Sequence, residues 1–290
     1  MRPDFCALIL THGRPDRVKT LRALETHGYT GKVFIVIDDE DATADEYRRL
    51  YGDKVISFSK TEIASRFDEG DNFNDRRSIF YARNAAFEIA RQVGCRFFIQ
   101  LDDDYSGFYY RFDGQGFYGN WKLEPLDWLL EQLCAFLEAT PFASVAISQG
   151  GDHIGGGGSP QMCKIGSRRK AMNSFVCDAE RPFRFVGRIN EDVNTYTCEQ
   201  RRGLPFLSFM AAQVNQGATQ LNAGGMTELY LDSGTYVKTF YSVMYAPSCV
   251  RIATLGDARV EGVGHKRLHH LIDWNAAAPC IIEERYRKAA

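Results

Sequence analysis

The sequence has no long hydrophobic run, no dense set of cysteines and no strong excess of either charge. None of its apolar stretches approaches the roughly 18 to 20 residues needed to span a bilayer. Residues 1–4 read Met-Arg-Pro-Asp and lack the basic start and apolar stretch of a secretory signal. These absences argue against a membrane protein and against a secreted one, so we expect a soluble protein of the cytoplasm with no membrane partner.

The eight cysteines lie far apart and form no C-x-x-C pair. This spacing argues against a disulfide-rich secreted scaffold, and we expect reduced, mostly buried thiols. A formal net charge of −2 gives no overall attraction to nucleic acid, so a polyanion would have to meet a local basic patch. Apolar residues make up 44% of the 290 residues, which is enough for a substantial core.

Short apolar runs alternate with helical patterns along the first half of the chain. Buried strands are predicted at residues 5–10, 32–37, 55–58, 96–101 and 144–148. Helices are predicted between them, around residues 18–24, 47–51, 79–93 and 126–137. This order predicts an α/β protein with a mainly parallel central sheet and flanking helices.

The character of the sequence changes at residue 149. Residues 150–158 are rich in glycine, which is typical of a mobile loop, either a lid or a linker into the second half. Beyond it, residues 206–210 resemble a strand. We expect one domain over residues 1–290, with an elaborated C-terminal half.

Three polar clusters stand where predicted strands end. They are residues 11–14, Asp38 with Asp39, and the run Asp102-Asp103-Asp104. In an open α/β sheet, ligands gather at the carboxyl ends of the strands. Because side chains alternate along an extended backbone, Asp102 and Asp104 are expected to point the same way and to hold Mg²⁺ or Mn²⁺ against a diphosphate. The alternative for the three aspartates is a solvated acidic loop.

A second acidic feature lies about ninety residues later, in the stretch Gly-Arg-Ile-Asn-Glu-Asp-Val at 187–193. A carboxylate of Glu191 or Asp192 could act as a general base that deprotonates a hydroxyl group. The alternative is a pair of acids in the first turn of a helix, capped by Asn190. Near the C-terminus, His265, Lys266 and Arg267 follow a glycine-flexed segment, and His269 and His270 are competing histidines.

The acidic run after a central strand resembles the D-x-D motif of the GT-A glycosyltransferases, over roughly residues 5–200. The resemblance implies a metal-dependent enzyme, with a nucleotide-sugar-binding half at 1–148 and an acceptor-binding and catalytic half at 149–290. It implies that Asp104 is the direct metal ligand, that Asp102 faces ribose and metal, and that Asp192 is the catalytic base with Glu191 as helper.

The same resemblance assigns the remaining donor contacts. The loop after the first strand would touch the nucleotide through Thr11, His12 and Arg14, and Asp38 or Asp39 would meet the base or ribose. Arg83 and Asp103 would also belong to the donor site, with His265 as a late metal ligand and Lys266 on the diphosphate. The alternatives are a helix-start role for Asp38 and Asp39, a carboxylate partner for Arg83, and a turn or capping role for Thr11.

The stretch Arg-Ile-Asn-Glu-Asp-Val-Asn-Thr-Tyr at 188–196, together with the acidic strand end, resembles glycosyltransferases associated with TET/JBP-type oxygenases. These phage and protist enzymes, related to the base J glucosyltransferase, glycosylate hydroxymethylated pyrimidines in DNA. The resemblance implies a UDP-sugar donor, an inverting reaction, and acceptor contacts from Arg188 and Tyr196, in the host cytoplasm if the protein is phage-encoded. Two alternatives stay open: transfer to a glycan, lipid or protein hydroxyl, and a nucleotide-binding or hydrolytic protein.

The region around the acid pair is also basic and aromatic. Local positive charge and rings for stacking would serve a flipped DNA base, and the alternative is a solvated basic face over ordinary core aromatics. The residues concerned are Arg168, Arg169, Lys170, Arg181, Arg184, Arg201 and Arg202, with Phe183 and Phe185.

Overall fold

The computed structural model describes residues 1–113, 118–153, 168–171, 173–216, 229, 232, 234, 236–256 and 266–278. The helices in these ranges are α1 (Lys19–Thr26), α2 (Ala44–Tyr51), α3 (Lys60–Arg66), α4 (Phe80–Gln92), α5 (Leu126–Ala139), α6 (Glu191–Arg201), α7 (Val237–Tyr245) and α8 (Trp274–Ala277). None of them is long and apolar enough to cross a membrane.

The strands that this structure describes run from β1 to β11. They are β1 (Phe5–Leu10), β2 (Lys32–Asp38), β3 (Val55–Phe58), β4 (Phe97–Asp102), β5 (Tyr105–Phe112), β6 (Tyr118–Lys122), β7 (Ser144–Gln149), β8 (Phe175–Asp178), β9 (Phe206–Gln216), β10 (Val250–Gly256) and β11 (Lys266–Ile272). Single turns of 3₁₀ helix occupy Pro15–Arg17, Gly52–Lys54 and Gly150–His153.

A nine-stranded sheet with the order β3-β2-β1-β4-β8-β7-β9-β5-β6 forms the centre of the molecule. Only β8 and β5 run against the common direction of the other strands in this sheet. The predicted α/β class, with a large and mostly parallel central sheet and flanking helices, is therefore confirmed. Strands β10 and β11 form a separate antiparallel pair.

The central strands are buried on both faces, which explains why their sequences are continuous apolar runs. Every residue of β1 is buried, and alternation sends Phe5, Ala7 and Ile9 into one cluster and Cys6, Leu8 and Leu10 into the other. Residues of α1 and α5 cover the first face, and residues of α4 cover the second. These two clusters fix the sheet between its helical layers.

The predicted elements of the first half are present with shifted ends. The strand predicted at 206–210 is longer, since β9 continues to Gln216. The sequence reading had not placed β5 and β6, which form the far edge of the sheet. Of the glycine-rich segment, residues 150–153 form a 3₁₀ turn and 154–158 lie outside the described residues. Strands β8 and β9, from the second half, lie between strands of the first half.

Candidate active site at the carboxyl edge of the sheet

Asp102 is the last residue of β4, which lies near the middle of the sheet, and Asp104 follows in the adjoining turn. One side-chain amide contacts both carboxylates: Nε2 of Gln216 lies 3.1 Å from Oδ1 of Asp104 and 3.4 Å from Oδ2 of Asp102. Asn173 also donates to Oδ2 of Asp102, at 3.0 Å. The two acids therefore converge on one side, as the alternation predicts.

Asp103 points away from this pair and is buried. Its Oδ2 accepts a hydrogen bond of 2.6 Å from Oγ1 of Thr11, and its Oδ1 lies 3.0 Å from Nη2 of Arg14. Burial raises the pKa of Asp103 to about 6. These contacts fasten the loop after β1 to the acidic turn and leave the Arg14 side chain 27% exposed.

The loop after β2 meets the same region through Asp38. His12 approaches Asp38 with its Nδ1 2.8 Å from Oδ2, and Nζ of Lys60 lies 3.1 Å from Oδ1. Although burial opposes ionisation, these two groups hold the pKa of Asp38 below its ordinary value, and Asp38 raises the pKa of His12. The His12 ring is 46% exposed at the edge of the site.

Asp39 is exposed, and its Oδ1 accepts a hydrogen bond of 2.9 Å from the backbone nitrogen of Lys60, the first residue of α3. The helix-start alternative therefore describes this carboxylate. It does not describe Asp38, which is buried between His12 and Lys60.

Arg83 is fully buried and connects the two acidic regions of the sequence. Its Nη2 lies 3.1 Å from Oδ1 of Asp102, and its Nε donates to Oε1 of Glu191 at 2.9 Å. The ring of Phe175 lies 5.4 Å from the guanidinium carbon. The structure contains the carboxylate-partner alternative, and the contact of Arg83 with a nucleotide stays a prediction.

Glu191 and Asp192 form the first turn of α6, as the helix-start alternative predicts. Asn190 has a left-handed backbone with φ of 60° and makes no side-chain cap, because its Nδ2 donates to Oγ of Ser242 at 2.6 Å. Glu191 is engaged by Arg83, whereas Asp192 forms no ion pair within the described part of the chain. Burial raises the pKa of both carboxyl groups.

Asp102 and Asp104 place two carboxylates close together at the end of β4. Burial, and then the charge of Asp102, raise the pKa of Asp104, which a neutral amide contacts. Two neighbouring carboxylates with hard oxygen atoms suit Mg²⁺ or Mn²⁺. These cations usually keep waters and phosphate oxygens as further ligands. No group of three or more potential metal ligands occurs among the described residues. His265 lies outside them, and of Lys266 only the backbone in β11 is described.

The predicted acceptor contacts do not lie on an open surface. The Tyr196 ring is completely buried and stacks on Trp274 with centroids 5.7 Å apart. Arg188 is also buried, with its Nε 2.7 Å from Oδ2 of Asp71. The aromatic and cationic groups near α6 are used in packing in this structure, and the two acceptor contacts stay predictions. Phe183 and Phe185 are core residues in the same way.

Three polar residues of the site were missed by the sequence reading: Lys60, Asn173 and Gln216. Gln216, the last residue of β9, is 114 residues from Asp102 in the sequence, and only the sheet order brings the two together. Lys60 is buried at the start of α3, and no local pattern in the sequence indicates its pairing with Asp38.

The comparisons with known proteins identify the family. Residues 5–225 match the family model described as TET-Associated Glycosyltransferase. No curated protein sequence matches significantly. Similar solved structures include glucosyl-3-phosphoglycerate synthase from Mycobacterium tuberculosis with Mg²⁺ and UDP, at 10% identity and TM-score 0.45, covering 92% of this chain and 87% of that one.

The same enzyme with Mn²⁺, UDP-glucose and phosphoglyceric acid is 11% identical, with a TM-score of 0.46, covering 99% of this chain and 91% of that one. A further similar structure is a mycobacterial protein, at 11% identity and TM-score 0.47, covering 92% and 83%. Because the family model spans most of the sequence, the chain belongs to the TET-associated glycosyltransferases and is a transferase.

Proposed function

We propose that this enzyme transfers a sugar from a nucleotide-sugar donor, a UDP-sugar, to a hydroxyl acceptor, with Mg²⁺ or Mn²⁺ at Asp102 and Asp104. The observation that carries the proposal is the Arg83 bridge. It joins the acid that ends β4 to Glu191, the acid that begins α6, so that one buried cation connects the proposed diphosphate site to the neighbour of the candidate base Asp192.

In this assignment Asp104 is the direct metal ligand. Asp102 already accepts from Arg83, Asn173 and Gln216, whereas Asp104 accepts from Gln216 alone among the side chains described. Asp104 therefore has more free lone pairs for a cation. Asp102, which its three donors hold in place, lies beside the proposed cation. The cation would neutralise the departing diphosphate. His265 and Lys266 stay proposed as the late metal and diphosphate contacts.

The donor nucleotide is proposed to lie against the loops after β1 and β2. His12, Arg14 and Asp39 offer exposed or part-exposed polar groups there. Thr11, Asp38 and Asp103 are buried and serve by fixing those groups in place. This division follows from burial, since a carboxylate already paired inside the protein has little capacity for a ligand.

Asp192 is proposed as the base of an inverting reaction. Its raised pKa makes it a stronger proton acceptor than an ordinary aspartate, and it is not engaged by Arg83 as Glu191 is. Glu191 is accordingly assigned to positioning. The charge of Arg83 also acts on Asp192 and limits the rise of its pKa.

The proposed acceptor is a 5-hydroxymethylpyrimidine in DNA. It is supported by the membership of a TET-associated family and by exposed cations near α6, among them Arg168, Lys170 and Arg184. A glycan, lipid or protein hydroxyl is the alternative acceptor.

The test is a transfer assay with radiolabelled nucleotide sugars, Mn²⁺ and duplexes that differ only in the hydroxymethyl group. We expect label on hydroxymethylated DNA alone, and Asp104→Ala should abolish it. Asp53→Ala, which removes an exposed acid outside the candidate site, should leave the label unchanged. Label only on a non-nucleic acceptor would contradict the DNA assignment. Sugar release that no acceptor accelerates would contradict the transferase mechanism.

A further inference from the structure

Two buried hydrogen-bond acceptors without partners lie beside Ser148, on the strand β7. They are Nδ1 of His153 and Oε1 of Gln213, and neither has a hydrogen-bond partner in the described part of the chain. Both residues are only 6% exposed. Since buried polar atoms are rarely left unpaired, such a pair is a reason to look for a ligand.

The state of His153 follows from its neighbour. Oγ of Ser148 donates its one hydrogen to the backbone oxygen of Ala212, at 2.5 Å. Nε2 of His153, 2.7 Å from the same Oγ, must then be the donor of that contact. Nδ1 is therefore a bare acceptor, and burial lowers the pKa of His153 to about 4, which keeps the ring neutral.

Gln213 presents a matching group. Its Nε2 donates to Oδ1 of Asn215, so its Oε1 is the free end of the amide. Ser148 and Gln213 are register partners across β7 and β9, and His153 contacts Ser148 directly. The two bare acceptors consequently neighbour the same serine.

This pair lies on the side of the sheet that carries the proposed metal site. Phe98 and Ala146 belong to the cluster that packs α4, so Asp102 and Ser148, further along their strands, face the same side. Gln213 faces this side too, since its neighbours Ala212 and Val214 belong to the opposite cluster. One strand, β8, separates β4 from β7, so Ser148 lies two strand spacings, or about 10 Å, from the metal-site acids that begin with Asp102. A sugar attached to a diphosphate at those acids extends over a distance of this order.

We propose that His153 and Gln213 form the subsite that recognises hydroxyl groups of the transferred sugar, each accepting one hydroxyl hydrogen. The proposal rests on the proposed function, because it assumes a nucleotide sugar at Asp102 and Asp104. The subsite proposal goes beyond the proposed function by naming the residues that select the sugar. Two neutral acceptors suit hydroxyl donors, and they offer no charge to a phosphate.

The experiment compares binding of UDP-glucose and of UDP, each with Mn²⁺, by calorimetry. His153→Phe and Gln213→Met are each expected to weaken UDP-glucose binding by about fivefold to tenfold, the range for one neutral hydrogen bond, while UDP binding stays within about twofold. Tyr118→Phe is the matched control, because it removes a hydroxyl that donates to the backbone of His153 and leaves Nδ1 intact.

A second arm uses UDP-glucose analogues that each lack one sugar hydroxyl. For at least one analogue, the loss of affinity seen with the wild-type protein should shrink in His153→Phe or Gln213→Met, since the group that the missing hydroxyl contacted is gone. A merely structural role of these residues would not produce this non-additivity.

Equal weakening of UDP and UDP-glucose in both variants would overturn the subsite, as would unchanged donor binding with a raised KM for the acceptor. Sugar transfer by the wild-type protein distinguishes failure of the subsite from failure of the proposed function. If the wild type transfers sugar and the variants behave in either of those ways, only the subsite is wrong. If the wild type binds no UDP-sugar, the proposed donor fails and the subsite with it.

Discussion

Asp192 and Glu191 are neighbours in the sequence with different surroundings, and the proposed function gives them different roles. We expect Asp192→Asn to lower kcat by about two to four orders of magnitude, the scale of a lost general base, with donor affinity almost unchanged. Measurement of kcat together with the donor Kd checks this. A parallel fall of donor affinity would show that Asp192 contacts the donor instead.

Asp104 should behave in the opposite way. Asp104→Ala removes the proposed direct ligand, so metal-dependent donor binding should be lost, while the fold persists because Gln216 is the only described side chain that donates a hydrogen bond to Asp104. Calorimetric titration of UDP with and without Mn²⁺ measures the effect. Donor binding that still responds to Mn²⁺ in this variant would disprove the ligand assignment.

Arg83 should affect stability as well as catalysis. Arg83→Met leaves Asp102 and Glu191 without their buried cation, and breaking such a pair from one side typically destabilises by about 3–5 kcal/mol. Arg83→Met combined with Glu191→Met should recover part of this loss, because one unpaired charge is removed. Urea denaturation of the wild type, the two single variants and the double variant tests the coupling, and strict additivity would mean that Glu191 and Arg83 act independently.

At the scale of elements, α4 and β4 were predictable because their signals are local. An apolar stripe with strong helix formers marks α4, and an apolar run that stops at the aspartates marks β4. The acids after Asn190 also predicted the first turn of α6, as one of two alternatives. The neighbours of β9 were not predictable, since the β7–β9 pairing joins residues that are far apart in the sequence.

The turn before α6 gives the element-scale prediction. Gly187 has φ of +73°, and a Cβ there would approach the Tyr245 ring to 2.5 Å and Nδ2 of Asn194 to 2.6 Å. Gly187→Ala therefore adds a steric clash to the strain of a left-handed residue. Gly94, with φ of +71° and open space around its Cβ position, is the matched control.

Both alanine variants should lose about 1–2 kcal/mol from backbone strain. Gly187→Ala should lose about 1–3 kcal/mol more from overpacking. Denaturation midpoints compared with the wild type measure the difference. Equal losses of stability in the two variants would mean that the Tyr245 and Asn194 side chains move aside at no energetic cost.

At the scale of the whole molecule, the sequence could predict which acids lie at the carboxyl edge of the sheet but not which residues each of them contacts. The strand-end rule located Asp38, Asp102 and Asp104 at one edge before any contact was known. It could not separate exposed groups from buried ones such as Arg188 and Tyr196. Burial depends on how distant segments pack, and local spacing contains little of that information.

Net charge sets the last expectation, which concerns the proposed DNA acceptor. With −2 overall, the protein cannot attract DNA as a whole, so binding must depend on a few local cations. Arg184 is exposed in the segment between β8 and α6. If it contacts a phosphate, Arg184→Ala should make the dependence of log K for DNA on log salt concentration shallower by about 1.

This change should be the same for hydroxymethylated and unmodified duplexes, because a phosphate contact carries no information about the base. Fluorescence anisotropy at several salt concentrations measures it. Arg49→Ala, which removes an exposed cation of α2, should leave the slope unchanged. An unaltered slope in Arg184→Ala would remove this residue from the DNA contact, whereas a loss confined to hydroxymethylated DNA would place it beside the modified base.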